Sequence, residues 1–423
     1  MKKTSAIFVL LFISLSLWAQ ENEPKERRAI KNRVFELSLA NFDIGLSNTF
    51  LKAGDVIRDP AGMKQSGKFF KDSVSINMND FFEGFTFNFG AVIKPLSINF
   101  NWKDKWGFGL DIGHTSVTGG ALLPENVLSL KESSDEKIEM GAAVFTDVGI
   151  PVFFHLNKLK IKVRPSAFLP VVYTEPDITY SNTGTRIQAA YDIRIYSIVD
   201  MQGLEDNNFG AVGQGLLDNV WGIAKNNLGY DVSLGLEYPF FKWLDVGVDI
   251  VNIPLVTSNL TNYMQIEGEA YFDSGKIDFM DLANGGAFPE DAYDYPKDFE
   301  IKYNNDGSIK IYRPFTTLFY AKCRPFGSPV FSLIPSIGFS LNRLYTQFAS
   351  IEGGLSARLD LANVFITSIG VNYNDRRWKN SVDFILNLRA FELDFGVSFQ
   401  SPDFIKSFQG AGLGVNAGLK IGW

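Results

Sequence analysis

Cysteine is nearly missing from this 423-residue chain: Cys323 stands alone, so no intramolecular disulfide can form. Histidine is as scarce. His114 and His155 are the only two, and no His/Cys cluster at metal-ligand spacing exists. Beyond the N-terminus there is no long apolar run, which excludes a polytopic helical membrane protein. A basic excess is also lacking, since the net charge is −7 and the pI near 5.1, and this argues against nucleic acid as a partner. Phenylalanine and glycine are plentiful, 38 of each, with 15 Tyr and 7 Trp. Aromatics and glycines spread over many short segments belong to an all-β chain with tight turns.

The first twenty residues read as a secretory signal. Lys2 and Lys3 form a positive start, Ala6 to Leu17 an apolar stretch too short to span a bilayer, and cleavage is expected after Ala19. The mature domain is then 20–423. No cysteine follows the apolar stretch, which excludes a lipoprotein anchor.

Along the rest of the chain the period is two. Near the end, Leu413, Val415, Ala417, Leu419, Ile421 and Trp423 alternate with Gly414, Asn416, Gly418, Lys420 and Gly422. Phe391, Leu393, Phe395, Val397 and Phe399 alternate likewise with Glu392, Asp394, Gly396 and Ser398, and Val382, Phe384 and Leu386 with Asp383 and Asn387. One face wholly apolar and the other small or polar is the dyad of a strand between lipid and a polar interior. Short connections (around Asn157, Pro239–Lys242, Pro325–Ser328, Leu361–Asn363 and Arg389-Ala390) alternate with long polar ones. That asymmetry fits a transmembrane barrel, because a closed sheet is the only β structure that satisfies every backbone group in lipid. The expectation is an all-β, antiparallel transmembrane barrel of about 14 strands (12–16), with both termini on the periplasmic side. The 84–102 segment is either one strand or a hairpin about Lys94-Pro95, and Thr185 to Asp200 reads as a β-like external extension.

Three segments do not fit barrel strands. Ser47–Phe82 is expected to be an irregular, partly helical insert, whose Phe69-Phe70 and Phe81-Phe82 pairs need cover. Gly203–Asn227 carries Leu216, Leu217, Val220, Trp221 and Ala224 at helical spacing. Thr257–Tyr312 is the largest external insertion and reads mainly as solvated acidic surface.

With its leader, an Asp59-Pro60-Ala61-Gly62 turn inside the N-terminal insert, about fourteen strands and a terminal aromatic, the chain resembles the outer-membrane long-chain fatty acid transporter superfamily. The hatch of that family carries Asn-Pro-Ala followed by Gly, where this chain has Asp59. The resemblance implies a barrel plugged by a hatch, which passes hydrophobic molecules inward, with Pro60, Ala61 and Gly62 in the hatch. An ordinary Asp-Pro turn accounts for the same four residues. Trp423 resembles the C-terminal signature by which outer-membrane barrels are assembled, which implies the barrel-assembly machinery as a partner.

Catalytic chemistry is poorly supplied. His114 and Ser116 share a strand face, similar to the His-x-Ser arrangement of outer-membrane phospholipase A, but the following strand, Met140 to Phe153, offers no Asn to orient the imidazole. No enzyme activity, cofactor or metal is expected. By the alternation, the interior is lined by Asp111, Asp147, Asp231, Glu237, Asp245, Asp249, Asp360, Asp383, Glu392 and Asp394. Lys160, Lys162, Arg164, Arg358, Arg389 and Lys420 oppose them. Mixed signs in a narrow lumen form paired networks. Two functional classes fit. In one, the barrel takes up a hydrophobic or small molecule passively, with Phe69, Phe70, Phe81, Phe82, Leu216, Val220 and Trp221 as ligand contacts, and a general diffusion porin is its nearest variant. In the other, it is a structural or adhesive barrel with a closed lumen. Outer-membrane lipid is the expected surrounding, and a monomer the expected state.

Overall fold

A computed structural model describes residues 34–48, 85–102, 105–122, 133–137, 139–182, 186–198, 222, 225, 227–273, 276, 293–294, 300–304, 308–328, 330–341, 350–374, 377–388, 390–401, 404–408 and 412–422. The strands are β1 (Phe35–Asn48), β2 (Phe85–Trp102), β3 (Trp106–Leu122), β4 (Ser133–Lys137), β5 (Glu139–Gly149), β6 (Val152–Leu156), β7 (Leu159–Asn182) and β8 (Arg186–Ser197). They continue with β9 (Gly229–Phe241), β10 (Leu244–Val256), β11 (Ser258–Leu260), β12 (Asn262–Asp273), β13 (Tyr293–Asp294), β14 (Glu300–Asn304) and β15 (Ile309–Ile311). The last are β16 (Phe315–Cys323), β17 (Phe331–Leu341), β18 (Ser350–Leu361), β19 (Phe365–Asn374), β20 (Arg377–Asn387), β21 (Phe391–Ser401) and β22 (Leu413–Gly422), with a short helix, α1 (Phe404–Phe408), before β22.

Every pairing is antiparallel, and the sheet closes on itself. From β1 the wall passes to β2 and β3, to β5 continued by β6, to β7, β9 and β10, and then from β16 through β22, which pairs back onto β1. Closure removes the sheet edge, as lipid requires.

Sixteen long strands are present among the described residues where the sequence led to fourteen. The difference lies in β8 and β12. β7 is 24 residues long, more than twice what a tilted strand needs to cross a bilayer. Its first half pairs with β9, from Lys160 opposite Glu237 to Phe168 opposite Gly229. Its second half continues past the end of that pairing and carries β8, which carries β12, which carries β14. These strands form a flap at the long-loop end. The 257–312 insertion is therefore not simply solvated loop: β11 to β15 all fall within it.

The short turns form where the chain takes left-handed conformations. Asn157 (φ 57°) turns β6 into β7, and Ala362 and Asn363 (φ 57° and 59°) turn β18 into β19. Lys94-Pro95 does not open a hairpin. β2 runs through, and the missing proline donor is absorbed by a register shift between Ile93 and Leu96 against β3.

Burial is inverted relative to a water-soluble protein. Ile337, Ile351 and Ile369 are 64%, 71% and 60% exposed, whereas Glu352, Glu392 and Lys420 are 1%, 2% and 3% exposed. Apolar side chains cover the outside and polar ones fill the inside, which is stable only when the outside meets lipid. At the short-turn end, Trp102, Trp106, Phe240, Phe241, Trp243 and Phe326 are exposed together, forming an interfacial aromatic girdle.

Ser47 and Asn48 lie in β1, so the N-terminal insert starts after them, and the rest of it, with Asp59, Pro60, Ala61, Gly62, Phe69, Phe70, Phe81 and Phe82, lies outside the described residues. Of the helix expected in 203–227, Gly222, Lys225 and Asn227 are described and helical, while Leu216, Val220 and Trp221 lie outside, as do Arg389 and Trp423.

Candidate functional site

β7 is a strand of the wall, and its inward residues, at every second position, mark the levels of the lumen from the short-turn end upward: Lys160, Lys162, Arg164, Ser166 and Phe168. At the lowest level Lys160 and Lys162 are exposed although they point inward, so this mouth is open to solvent. Lys160 is paired with Glu237, and the Tyr320 hydroxyl approaches the same carboxylate at 3.5 Å.

The next level is a buried ionic layer. Arg164 donates through Nε to Asp111 Oδ2 (3.0 Å) and through Nη2 to Asp111 Oδ1 (2.6 Å), and it also holds Asp147. Arg313 lies 3.0 Å from the other side of Asp147 through Nη1. It also grips Asp231 with its fork, Nε to Oδ2 at 2.7 Å and Nη2 to Oδ1 at 2.6 Å, and donates to Ser166 Oγ at 2.8 Å. Asp231, Asp147 and Arg313 are 2%, 5% and 6% exposed. Two planar forks bridging three carboxylates from β3, β5 and β9 tie distant parts of the wall together, as arginine does better than lysine. Gly149 makes room for this: a Cβ there would lie 2.3 Å from Arg164 Cζ.

Above it lies an apolar layer. Phe145 and Phe168, each 1% exposed, meet edge to face at 6.2 Å. Tyr173, Tyr196 and Ile198 join them, and so do Leu260 of β11 and Ile311 of β15. Among the described residues β11 and β15 pair only with each other, in a two-stranded sheet at the ends of the large insertion. They bring two aliphatic side chains onto aromatic residues of the inner wall. Arg313 links the layers, its guanidinium standing 5.3 Å over the Phe168 ring.

The other interior charges expected from the sequence are partnered as follows. Asp245 holds Arg324, with Nη1 to Oδ1 at 3.0 Å. Lys420 Nζ meets Glu392 Oε1 at 2.6 Å, and Asp383 accepts from Asn416 Nδ2 at 2.8 Å. Asp360 accepts the Asn363 backbone N–H at 2.8 Å and so serves a turn. Arg358 and Asp394 are both 7% exposed, and Asp249 is half-buried against Gly235. On the flap, Lys302 beside Glu267 holds that carboxyl below the usual glutamate range.

Alternation assigned faces to these residues, but it did not find Arg313. That residue sits in the irregular Tyr312-Arg313-Pro314 step between β15 and β16, where no period exists; its one signal was an arginine directly before a strand-opening proline. Phe145 and Phe168 were missed because they break the rule that inward residues are polar. His114 Nδ1 lies 3.1 Å from Thr146 Oγ1 across the β3–β5 pair, so a hydroxyl occupies the place where a hydrolase needs a carboxylate or amide. Among the described residues, no group of His, Cys, Asp and Glu could hold a metal ion.

No family model matches the chain, and no curated protein matches it in sequence. Solved structures align with it at low identity. The toluene transporter TodX of Pseudomonas putida is 9% identical over 96% of this chain and 93% of its own, with a TM-score of 0.46. The toluene transporter TbuX of Ralstonia pickettii is 9% identical over 93% and 90%, at 0.43. The translocator domain of the autotransporter NalP from Neisseria meningitidis is 9% identical over 100% and 98%, at 0.33.

Proposed function

We propose that the protein is an outer-membrane barrel for passive uptake of a small hydrophobic molecule. The observation that carries this reading is the apolar layer at the long-loop end of the lumen, built from Phe145, Phe168, Tyr173, Leu260 and Ile311. A pore for hydrophilic solutes gains nothing from aromatic and aliphatic side chains aimed into its path, and it loses hydration there. An apolar solute arriving from the loop side replaces the contacts of Leu260 and Ile311 with its own. Below, the Arg313 network blocks the aqueous route, so ions do not follow the solute. In the same reading the insert that follows β1, 49–82, is the hatch, and the Phe69-Phe70 and Phe81-Phe82 pairs support this through their sequence alone.

The test uses the full chain in amphipol with N-phenyl-1-naphthylamine as the apolar probe, beside planar-bilayer conductance. Saturable probe fluorescence that Leu260→Asp abolishes, with no steady current, is the expected result. Steady current without probe binding assigns a general diffusion porin, and neither signal assigns a structural or adhesive barrel.

A further inference from the structure

The outward-facing row of β21, Phe391, Leu393, Phe395, Val397 and Phe399, ends at Ser401, which points the same way yet is fully buried. Beside it on β20, the outward row Trp378, Val382 and Phe384 is interrupted by Asn380, opposite Phe399. An amide on a lipid-facing surface is costly unless it is bonded. Here it is bonded from outside the wall: Asn380 Nδ2 donates to Ser407 Oγ at 2.7 Å, and Ser407 Oγ donates to the Phe404 carbonyl at 2.6 Å. α1 therefore lies folded against the outer surface of β20 and β21, away from the lumen, covering Ser401 and burying its own Ser407 against the wall.

The same helix carries a conspicuous apolar surface. Phe404, Ile405 and Phe408 are 45%, 68% and 58% exposed. Phe404 packs edge-on to Trp378 at 4.8 Å and to Phe408 at 5.2 Å, and Trp378 packs on Tyr373 at 5.0 Å. The height of this patch fixes what it meets. β21 is 11 residues long. At about 3.4 Å per residue and a tilt of about 40°, a strand of that length rises roughly 27 Å, against an apolar band of about 25 Å. The patch thus continues the lipid-facing row at its upper edge, where Trp and Tyr mark the headgroup boundary.

From this geometry we infer that α1 is an interfacial foot, whose Phe404, Ile405 and Phe408 insert into the acyl chains of the external leaflet. A helix of one turn does not persist alone in water. The Asn380–Ser407 latch and the Trp378 contact hold it in place, and membrane lipid is the occupant that matches a surface continuous with the barrel's own lipid face. The foot fixes how deep the barrel sits and keeps the β21–β22 loop down on the membrane, clear of the mouth.

The inference rests on the wall facing lipid, and the experiment separates the two claims. Ile405→Cys, Ile369→Cys in the wall and Lys158→Cys in a short turn, each singly in a Cys323→Ser background, are labelled with an NBD dye. The full chain is then placed in nanodiscs of phosphatidylcholine brominated on its acyl chains. The expected result is bromine quenching at 405 within about two-fold of that at 369, with iodide quenching confined to 158. Iodide quenching at 405 like that at 158, or shielding of 405 from both quenchers, overturns the foot while the wall reading stands. Failure of bromine to quench at 369 overturns both.

Discussion

Arg313→Met is the most telling perturbation of the interior. In the native state Asp231 is 2% exposed and takes both bonds of the Arg313 fork, with Ser166 as its other partner. Asp147 keeps Arg164 when Arg313 is lost, so the damage concentrates on Asp231. Leaving a buried carboxylate with a hydroxyl alone costs about 3–5 kcal/mol. Loss of the cation over Phe168 adds about 1 kcal/mol, and methionine packing on the same ring returns a similar amount. The expected destabilisation is therefore about 4 kcal/mol. It would be read from urea unfolding of the full chain in lipid vesicles by tryptophan emission, at unchanged denaturant slope. Arg313→Met with Asp231→Asn removes both charges and should cost about 2 kcal/mol less than Arg313→Met alone. A loss under about 1 kcal/mol for Arg313→Met, together with additive behaviour of the pair, would refute the reasoning: the layer would then be hydrated and would not close the lumen.

Three further outcomes are expected. Gly229→Ala puts a Cβ 2.3 Å from Phe168 Cζ and should cost about 1–3 kcal/mol through overpacking, partly recovered by adding Phe168→Leu, in the same unfolding assay. Ser407→Ala strips the partner from a lipid-facing Asn380 and should cost about 1–3 kcal/mol, whereas Ser407→Ala with Asn380→Leu should cost less than either change alone. Lys420→Met leaves Glu392, 2% exposed, without its cation near the β21–β22 pairing; a loss of about 3–5 kcal/mol is expected in urea unfolding, much reduced when Glu392→Leu is added.

Where one face meets lipid, the sequence is transparent, because a slip of one residue would invert every side chain. β21 and β22 were readable residue by residue for this reason. β8 and β12 also alternate, Ile193 and Ile195 with Asp192 and Arg194, and Met264 and Ile266 with Gln265 and Glu267. For β8 the pattern showed strand, whereas β12 went unread inside the 257–312 insertion, and outside the bilayer alternation cannot show which neighbour a strand joins. That required the length of β7, whose second half runs on past the end of its pairing with β9. The site was less legible than the wall. Its charges followed from parity, but the residue that organises them, Arg313, comes from a step without periodicity, and its partners lie 82 and 166 positions away in the chain at Asp231 and Asp147. Hydrogen bonds across such separations leave no local mark.

The wall is sealed by β22 lying along β1, Leu46 opposite Leu413 at one end and Glu36 opposite Gly422 at the other. The first strand to emerge thus waits for the last, with nearly the whole chain between them. Until then both carry unpaired amides that lipid will not tolerate and that another chain would readily pair with. Ring closure must be the late, slow event of biogenesis. A truncation that removes only the final ten residues therefore does more than shorten the barrel: it leaves an open sheet, which has no stable place in the membrane or beside it.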